Sequence, residues 1–161
     1  MIRPWHCRMT VIALLWCGLT SGGQAQSTGE IRLTPDQFDL GHGGAGAGTS
    51  GVSGIRTMVL KGDPSATGLY TILLYVPAHT RIAAHRHPDD RVATVVSGTW
   101  YFGYGSTFAA ASLRALPVGS YYTEPPEIDH FAETRDSAVL VQITGIGPTG
   151  TTYVRQEDDP R

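Results

Sequence analysis

Among the residues of this chain that could do chemistry, His85 and His87 stand out, separated only by Arg86. On an extended strand, side chains two positions apart leave the same face about 7 Å apart along the chain, so two imidazoles can grip one ion. Neutral imidazole is a general ligand for divalent transition metals. A histidine pair on a solvent face would mean little. This one follows the apolar run 69–76 and its Pro77 turn and precedes the half-buried run 91–97, which places it at the mouth of a fold.

Other chemistries lack their pattern. No order or spacing suggests a Ser/His/Asp arrangement, and the carboxylates show no glycosidase-like pairing. The stretch 41–54 is mostly Gly, Ala and Ser, but it has neither the Lys-Ser/Thr ending nor the following helix of a phosphate cradle. Its composition predicts a flexible loop or linker, because it can bury too little apolar surface to offset its backbone entropy. With 12 Lys and Arg against 14 Asp and Glu there is no basic patch for nucleic acid.

The elements that must position the histidines begin after residue 25. Arg3 and Arg8 ahead of the apolar run 11–19, then small and polar residues ending at Ala25, have the layout of a secretory signal peptide. Cleavage there leaves Gln26 as the first residue of an exported protein, periplasmic or secreted, with no membrane anchor. Both cysteines, Cys7 and Cys17, fall inside that segment, so neither a disulfide nor a cysteine metal site is expected in the mature chain. Residues 26–54 read as a leader with one edge strand around Ile31 and Leu33, followed by the Gly-rich loop holding His42. Short β-rich runs then occupy 55–60, 69–76, 91–97, 99–104, 119–124, 130–134, 139–144 and 151–155. Their spacing predicts an all-β sandwich or barrel over 55–155. Gly98 is read as the turn of a hairpin joining 91–97 to 99–104. Only 107–115, rich in Ala and Leu, looks helical, and the polar tail 156–161 is expected to fray.

The segment from His79 to Gly98 resembles the first motif of the cupin superfamily: Gly, five residues, HxH, three or four residues, Glu, six residues, Gly. His85, His87 and Gly98 match it, while His79 replaces the first Gly and Arg91 the Glu. The second motif is Gly, five residues, Pro, one residue, Gly, two residues, His, three residues, Asn. Gly119, Pro125 and His130 match it, while Glu127 replaces its second Gly and Thr134 its Asn. The flavour is that of small, exported, single-barrel bacterial cupins, with a weaker likeness to the cupin part of certain anti-sigma factors. The resemblance implies a single-domain jelly-roll barrel, a double-stranded β-helix, and a metal held by His85, His87 and His130.

Arg91 is the departure with chemical consequences. Guanidinium has no lone pair for a metal, so the resemblance implies a three-His site unless Asp89, Asp90, Glu124 or Glu127 swings in. Three neutral imidazoles leave the charge of a divalent ion (Zn, Fe, Mn, Ni or Cu) uncompensated, which favours a small anionic ligand. Arg91 either pairs with Asp89 or Asp90 or helps hold that ligand. Trp100 and Tyr122 are read first as barrel core and rim; with Glu124 and Arg91 they are also the candidates for ligand contact. His79 lies on a turn. Three functions are weighed: a metal-dependent enzyme on a small organic anion, an oxygenase, for which the resemblance implies a dioxygenase; a non-catalytic binding or sensing module; or a barrel cross-linked by a structural metal, in each case with a homodimer as a candidate assembly.

Overall fold

Alternation of apolar and polar residues puts one side of nearly every strand into a shared interior. The computed structural model describes residues 29–40 and 46–161. The leader 1–25, its cleavage point and His42 lie outside these. Ten strands follow in order: β1 (Arg56–Lys61), β2 (Gly68–Val76), β3 (Arg81–Arg86), β4 (Arg91–Ser97), β5 (Trp100–Tyr104), β6 (Arg114–Leu116), β7 (Tyr121–Glu124), β8 (His130–Glu133), β9 (Val139–Gly147) and β10 (Thr152–Tyr153). They form two five-stranded antiparallel sheets, β1-β2-β9-β4-β7 and β10-β3-β8-β5-β6. Among the described residues no helix is long and apolar enough to cross a membrane.

The first sheet is built on β2 and β9, which pair along their full length from Gly68↔Gly147 to Val76↔Val139. Ile72, Leu74 and Val76 of β2 and Val139, Val141 and Ile143 of β9 point inward and join Ile82, Trp100, Phe102 and Ala132 of the second sheet in one core. Each such side chain contributes roughly 1.5–3 kcal/mol by leaving water. The same parity decides the fate of Arg91. It shares the inward face of β4 with Ala93 and Val95, so it is buried at 2% exposure.

Several sequence expectations are corrected. β4 and β5 do not form a hairpin: they lie in different sheets, and Gly98 turns the corner between them. Its φ is +75°, and a Cβ there would stand 2.4 Å from the Ala138 carbonyl oxygen. Residues 107–115 are not helical apart from the 3-10 turn Ala110–Ser112, whose side chains are all exposed, so a helix here would have no face to bury. Arg114–Leu116 instead adds an edge strand to β5. Ile31 and Leu33 form no strand and are exposed; without a partner ladder an isolated strand has nothing to hold it. The tail is tied rather than frayed, through the 3-10 turn Gln156–Asp158 and a hydrogen bond from Arg161 Nη2 to the Thr151 carbonyl.

The two positions where glycine is missing from the motifs adopt glycine's conformation all the same. His79 and Glu127 are the non-glycine residues with positive φ among the described residues, at +55° and +59°. Their backbone N–H groups donate to the Arg135 and His87 carbonyls, both at 2.8 Å. The turns are therefore set by their hydrogen bonds and tolerate side chains in a region that costs an L-residue about 1–2 kcal/mol. Thr134, in place of Asn, is buried and accepts the Thr80 N–H at 2.9 Å while its hydroxyl donates to the Pro77 carbonyl. It closes the same turn by another route.

Candidate metal centre

Two cross-strand pairs, one from each sheet, face each other at the mouth of the barrel. In the second sheet His85 of β3 stands opposite His130 of β8, and in the first Arg91 of β4 stands opposite Glu124 of β7. His87 follows just beyond the end of β3. A register shift between Ile82 and His85 turns the histidines to the interior, where simple alternation from Ile82 would have sent His85 outward. All three rings are buried, and their centroids are 4.4 to 5.1 Å apart. Their ligand nitrogens lie within 4.8 Å of one another, a cluster that can hold a metal ion.

The orientation of each ring is set from behind. His85 Nδ1 donates to the Ala83 carbonyl at 2.8 Å, His87 Nδ1 to the Gly150 carbonyl at 2.6 Å, and His130 Nδ1 to the Ile128 carbonyl at 3.0 Å. A carbonyl can only accept, so each Nδ1 carries the proton and each Nε2 keeps its lone pair for the pocket. Burial, with the neighbouring His130 second, pushes His85 down to about 3. Burial and then the Arg91 charge push His87 down to about 2. His130 is lowered as well, chiefly by burial. His85 and His87 are thus neutral ligands at ordinary pH, and burial favours the neutral form of His130 as well. His130 Nε2 is buried and makes no hydrogen bond, and Trp100 Nε1, lining the same pocket, also makes none. An orphaned lone pair of this kind, aimed among two more, is what a metal would satisfy.

Arg91 pairs neither with Asp89 nor with Asp90, as the sequence suggested. Asp90 is exposed, and Asp89 accepts from the Tyr70 hydroxyl at 2.7 Å and the Thr149 hydroxyl at 2.6 Å. Gly145 makes room for that contact: a Cβ there would lie 2.6 Å from the Tyr70 oxygen. Arg91 instead donates from Nε to Glu124 Oε2 at 2.6 Å, from Nη2 to the same oxygen, from Nη2 to His87 Nε2 at 2.8 Å, and from Nη1 to the Gly48 carbonyl at 2.7 Å. Burial alone would raise the Glu124 carboxyl, but the guanidinium against it holds it well below the usual range. Arg91 is raised in turn: burial opposes its charge and Glu124 more than restores it.

The Gly-rich stretch, as far as it is described, is no loose linker. Thr49 and Ser50 are buried. Arg91 holds the Gly48 carbonyl, the Thr151 hydroxyl donates to the Thr49 carbonyl at 2.9 Å, and the Tyr153 hydroxyl donates to the Ser50 carbonyl at 2.7 Å. Its own side chains bury little, but distant donors satisfy its backbone, which composition could not foresee. This strap helps enclose the pocket, leaving a cavity of about 20 Å³ bounded also by Trp100, Phe102, Tyr122 and Glu124. That is room for one ion or one water-sized molecule. Trp100 and Tyr122 are core residues that also line this space, whereas His79 and Glu127 stay on their turns outside it. Gly48, Thr151 and Tyr153 carried no local signal for a place at the site.

No family model matches the chain. In sequence it is similar to the H2HPP isomerase of Bacillus subtilis, 30% identical over 89 residues that make up 54% of this chain and 36% of that protein. The chain therefore spans about a third of that relative's length. In structure it is similar to a DMSP lyase from Ruegeria pomeroyi, with TM-score 0.54 and 20% identity over 75% of this chain and 58% of that one. It is also similar to the salicylate 1,2-dioxygenase of Pseudaminobacter salicylatoxidans, with TM-score 0.51 and 13% identity over 62% of this chain and 30% of the other. Likeness at this sequence distance speaks for architecture and leaves chemistry aside, and on architecture it agrees with the two facing antiparallel sheets: this chain has the cupin fold.

Proposed function

We propose that this chain is an exported cupin-fold protein that holds one divalent metal ion on His85, His87 and His130 and uses it to act on a small organic anion, as an oxygenase. The observation that carries the reading is the convergence of three Nε2 lone pairs whose Nδ1 protons are each tied to a carbonyl. When bound, such an ion supplies Lewis acidity and a coordination position for the ligand. The chain's own residues do the rest. The carbonyls of Ala83, Ile128 and Gly150 orient the rings, and Phe102, Trp100 and Tyr122 limit water. Arg91 and Glu124 form a pair of zero net charge, so the full charge of a divalent ion remains to attract an anion.

A larger cleft of about 460 Å³ lies between β5, β6 and β7, lined by Tyr104, Arg114, Leu116 and Tyr121. Phe102 and Tyr122 line both this cleft and the histidine pocket, so they are the partition between a space for an organic molecule and the centre. The small volume of the histidine pocket, about 20 Å³, favours a second reading, a non-catalytic binding or sensing module with a structural metal. Element analysis of protein from its native compartment, followed by oxygen uptake with small diketones, thiols and phenols, separates the two. Uptake that disappears in His130→Ala supports the enzyme. A bound metal whose removal lowers the melting temperature, with no uptake on any of these compounds, supports the module, and a chain that takes up no metal refutes both.

A further inference from the structure

Glu124 is buried at 4% exposure on the inward face of β7, and its Oε2 stands 3.7 Å from His87 Nε2 and 4.0 Å from His130 Nε2. Two ligands bonded at about 2.0–2.2 Å to one tetrahedral ion stand roughly 3.3–3.6 Å apart. The carboxylate oxygen is therefore within about half an ångström of sharing an ion with two of the three histidines. Both recorded Arg91 bonds to the carboxylate end on this same oxygen, and the guanidinium that holds it also occupies the lone pair of His87 through Nη2. Arg91 thus bridges a carboxylate and an imidazole that face one point. His130 Nε2, aimed at that point, has no partner.

We propose that Glu124 is a fourth, carboxylate ligand of the ion, and that Arg91 competes with the ion for its Oε2. The proposal rests on the three-histidine metal reading and adds to it a ligand from the opposite sheet. Glu124 Oε2 and the Nε2 of His87 would both hold the ion, in place of the bonds they share with Arg91 Nη2. Arg91 keeps the Gly48 carbonyl through Nη1, so its charge stays anchored at the strap. Glu124 is suited to this task because β4–β7 pairing places it directly opposite Arg91, with its carboxylate facing His87 and His130.

The test uses cobalt(II), whose visible absorption reports its ligand set, on the full mature chain. Arg91→Gln leaves Glu124 free to ligate, whereas Arg91→Gln with Glu124→Gln removes the carboxylate without leaving a buried unpaired charge. Arg91→Gln is expected to bind cobalt(II) at least as tightly as the native protein. The double variant is expected to bind about tenfold more weakly or worse, with a shifted absorption spectrum. Equal affinity and an identical spectrum for the two variants overturn the proposal while leaving the three-histidine reading intact. A native protein that binds no cobalt(II) overturns both. Should Arg91→Gln fail to fold, the double variant against the native protein gives the comparison, since neither leaves a buried unpaired charge, and an identical spectrum for these two overturns the proposal.

Discussion

Arg91 and Glu124 face each other directly across the β4–β7 ladder, and the guanidinium spans from the carboxylate to His87 Nε2, 2.8 Å away. Both are almost fully buried, at 2% and 4% exposure. Removing one member of such a pair strands the other charge in the interior. Arg91→Ala in the metal-free protein is therefore expected to cost about 3–5 kcal/mol. A denaturant midpoint reads this, and replacing both residues with apolar ones of similar size should cost less than either single change. A single-variant loss below about 1 kcal/mol would mean the pair is hydrated and not the buried bridge described.

The histidines should be indispensable for metal and the arginine should not. His85→Ala, His87→Ala and His130→Ala are each expected to release most of the bound ion, whereas Arg91→Ala keeps it because guanidinium donates no lone pair. Arg91→Glu, which puts a second carboxylate on the inward face, should tighten binding. Metal content after dialysis at fixed free metal measures all five, and retention by any His→Ala variant at native stoichiometry contradicts the ligand set.

Acid should destabilise the metal-free protein through these same rings. His85 is held down to about 3 and His87 to about 2, against about 6.5 in the unfolded chain. Below pH 6.5 the unfolded state binds protons that the folded state refuses, so folded stability falls as pH falls. The decline begins near 6.5 and continues to about 3 for His85 and about 2 for His87, the windows between unfolded and folded values. Glu124, lowered in the fold, adds to the loss at the acid end in the same direction. Thermal melts in the presence of a chelator should show the midpoint dropping steadily from pH 7 to 4; a flat midpoint over that range would speak against buried, neutral imidazoles.

His79 occupies a left-handed turn that glycine adopts without strain, with its N–H on the Arg135 carbonyl. His79→Gly should therefore stabilise the fold by about 1 kcal/mol and leave metal content unchanged. Equilibrium unfolding measures the gain. Reduced metal content in this variant would bring His79 into the site.

The leader makes a separate expectation. Cleavage after Ala25 yields a mature chain starting at Gln26, which intact mass of protein from the periplasm reports directly. A mass that retains residues 1–25 rules the cleavage out.

Much of this architecture is legible along the chain because strands write themselves locally. The runs 91–97 and 139–144 alternate visibly, and β4 and β9 are found there, β9 extending three residues further. The pairing of His85 with His87 follows from spacing alone, and their closeness to His130 is what the resemblance to a second cupin motif implies. Other features depend on residues far apart in sequence. That Arg91 meets Glu124, 33 positions later, and not its neighbours Asp89 and Asp90, is decided by strand register and by the inward parity it shares with Ala93 and Val95. That a Gly-rich stretch becomes a strap is decided by Arg91, Thr151 and Tyr153, which hold its carbonyls from elsewhere in the fold. Local patterns set which face a side chain takes; only the closed pairing of distant strands determines what it meets there, because burial leaves each polar atom no choice but the partner that the fold brings beside it.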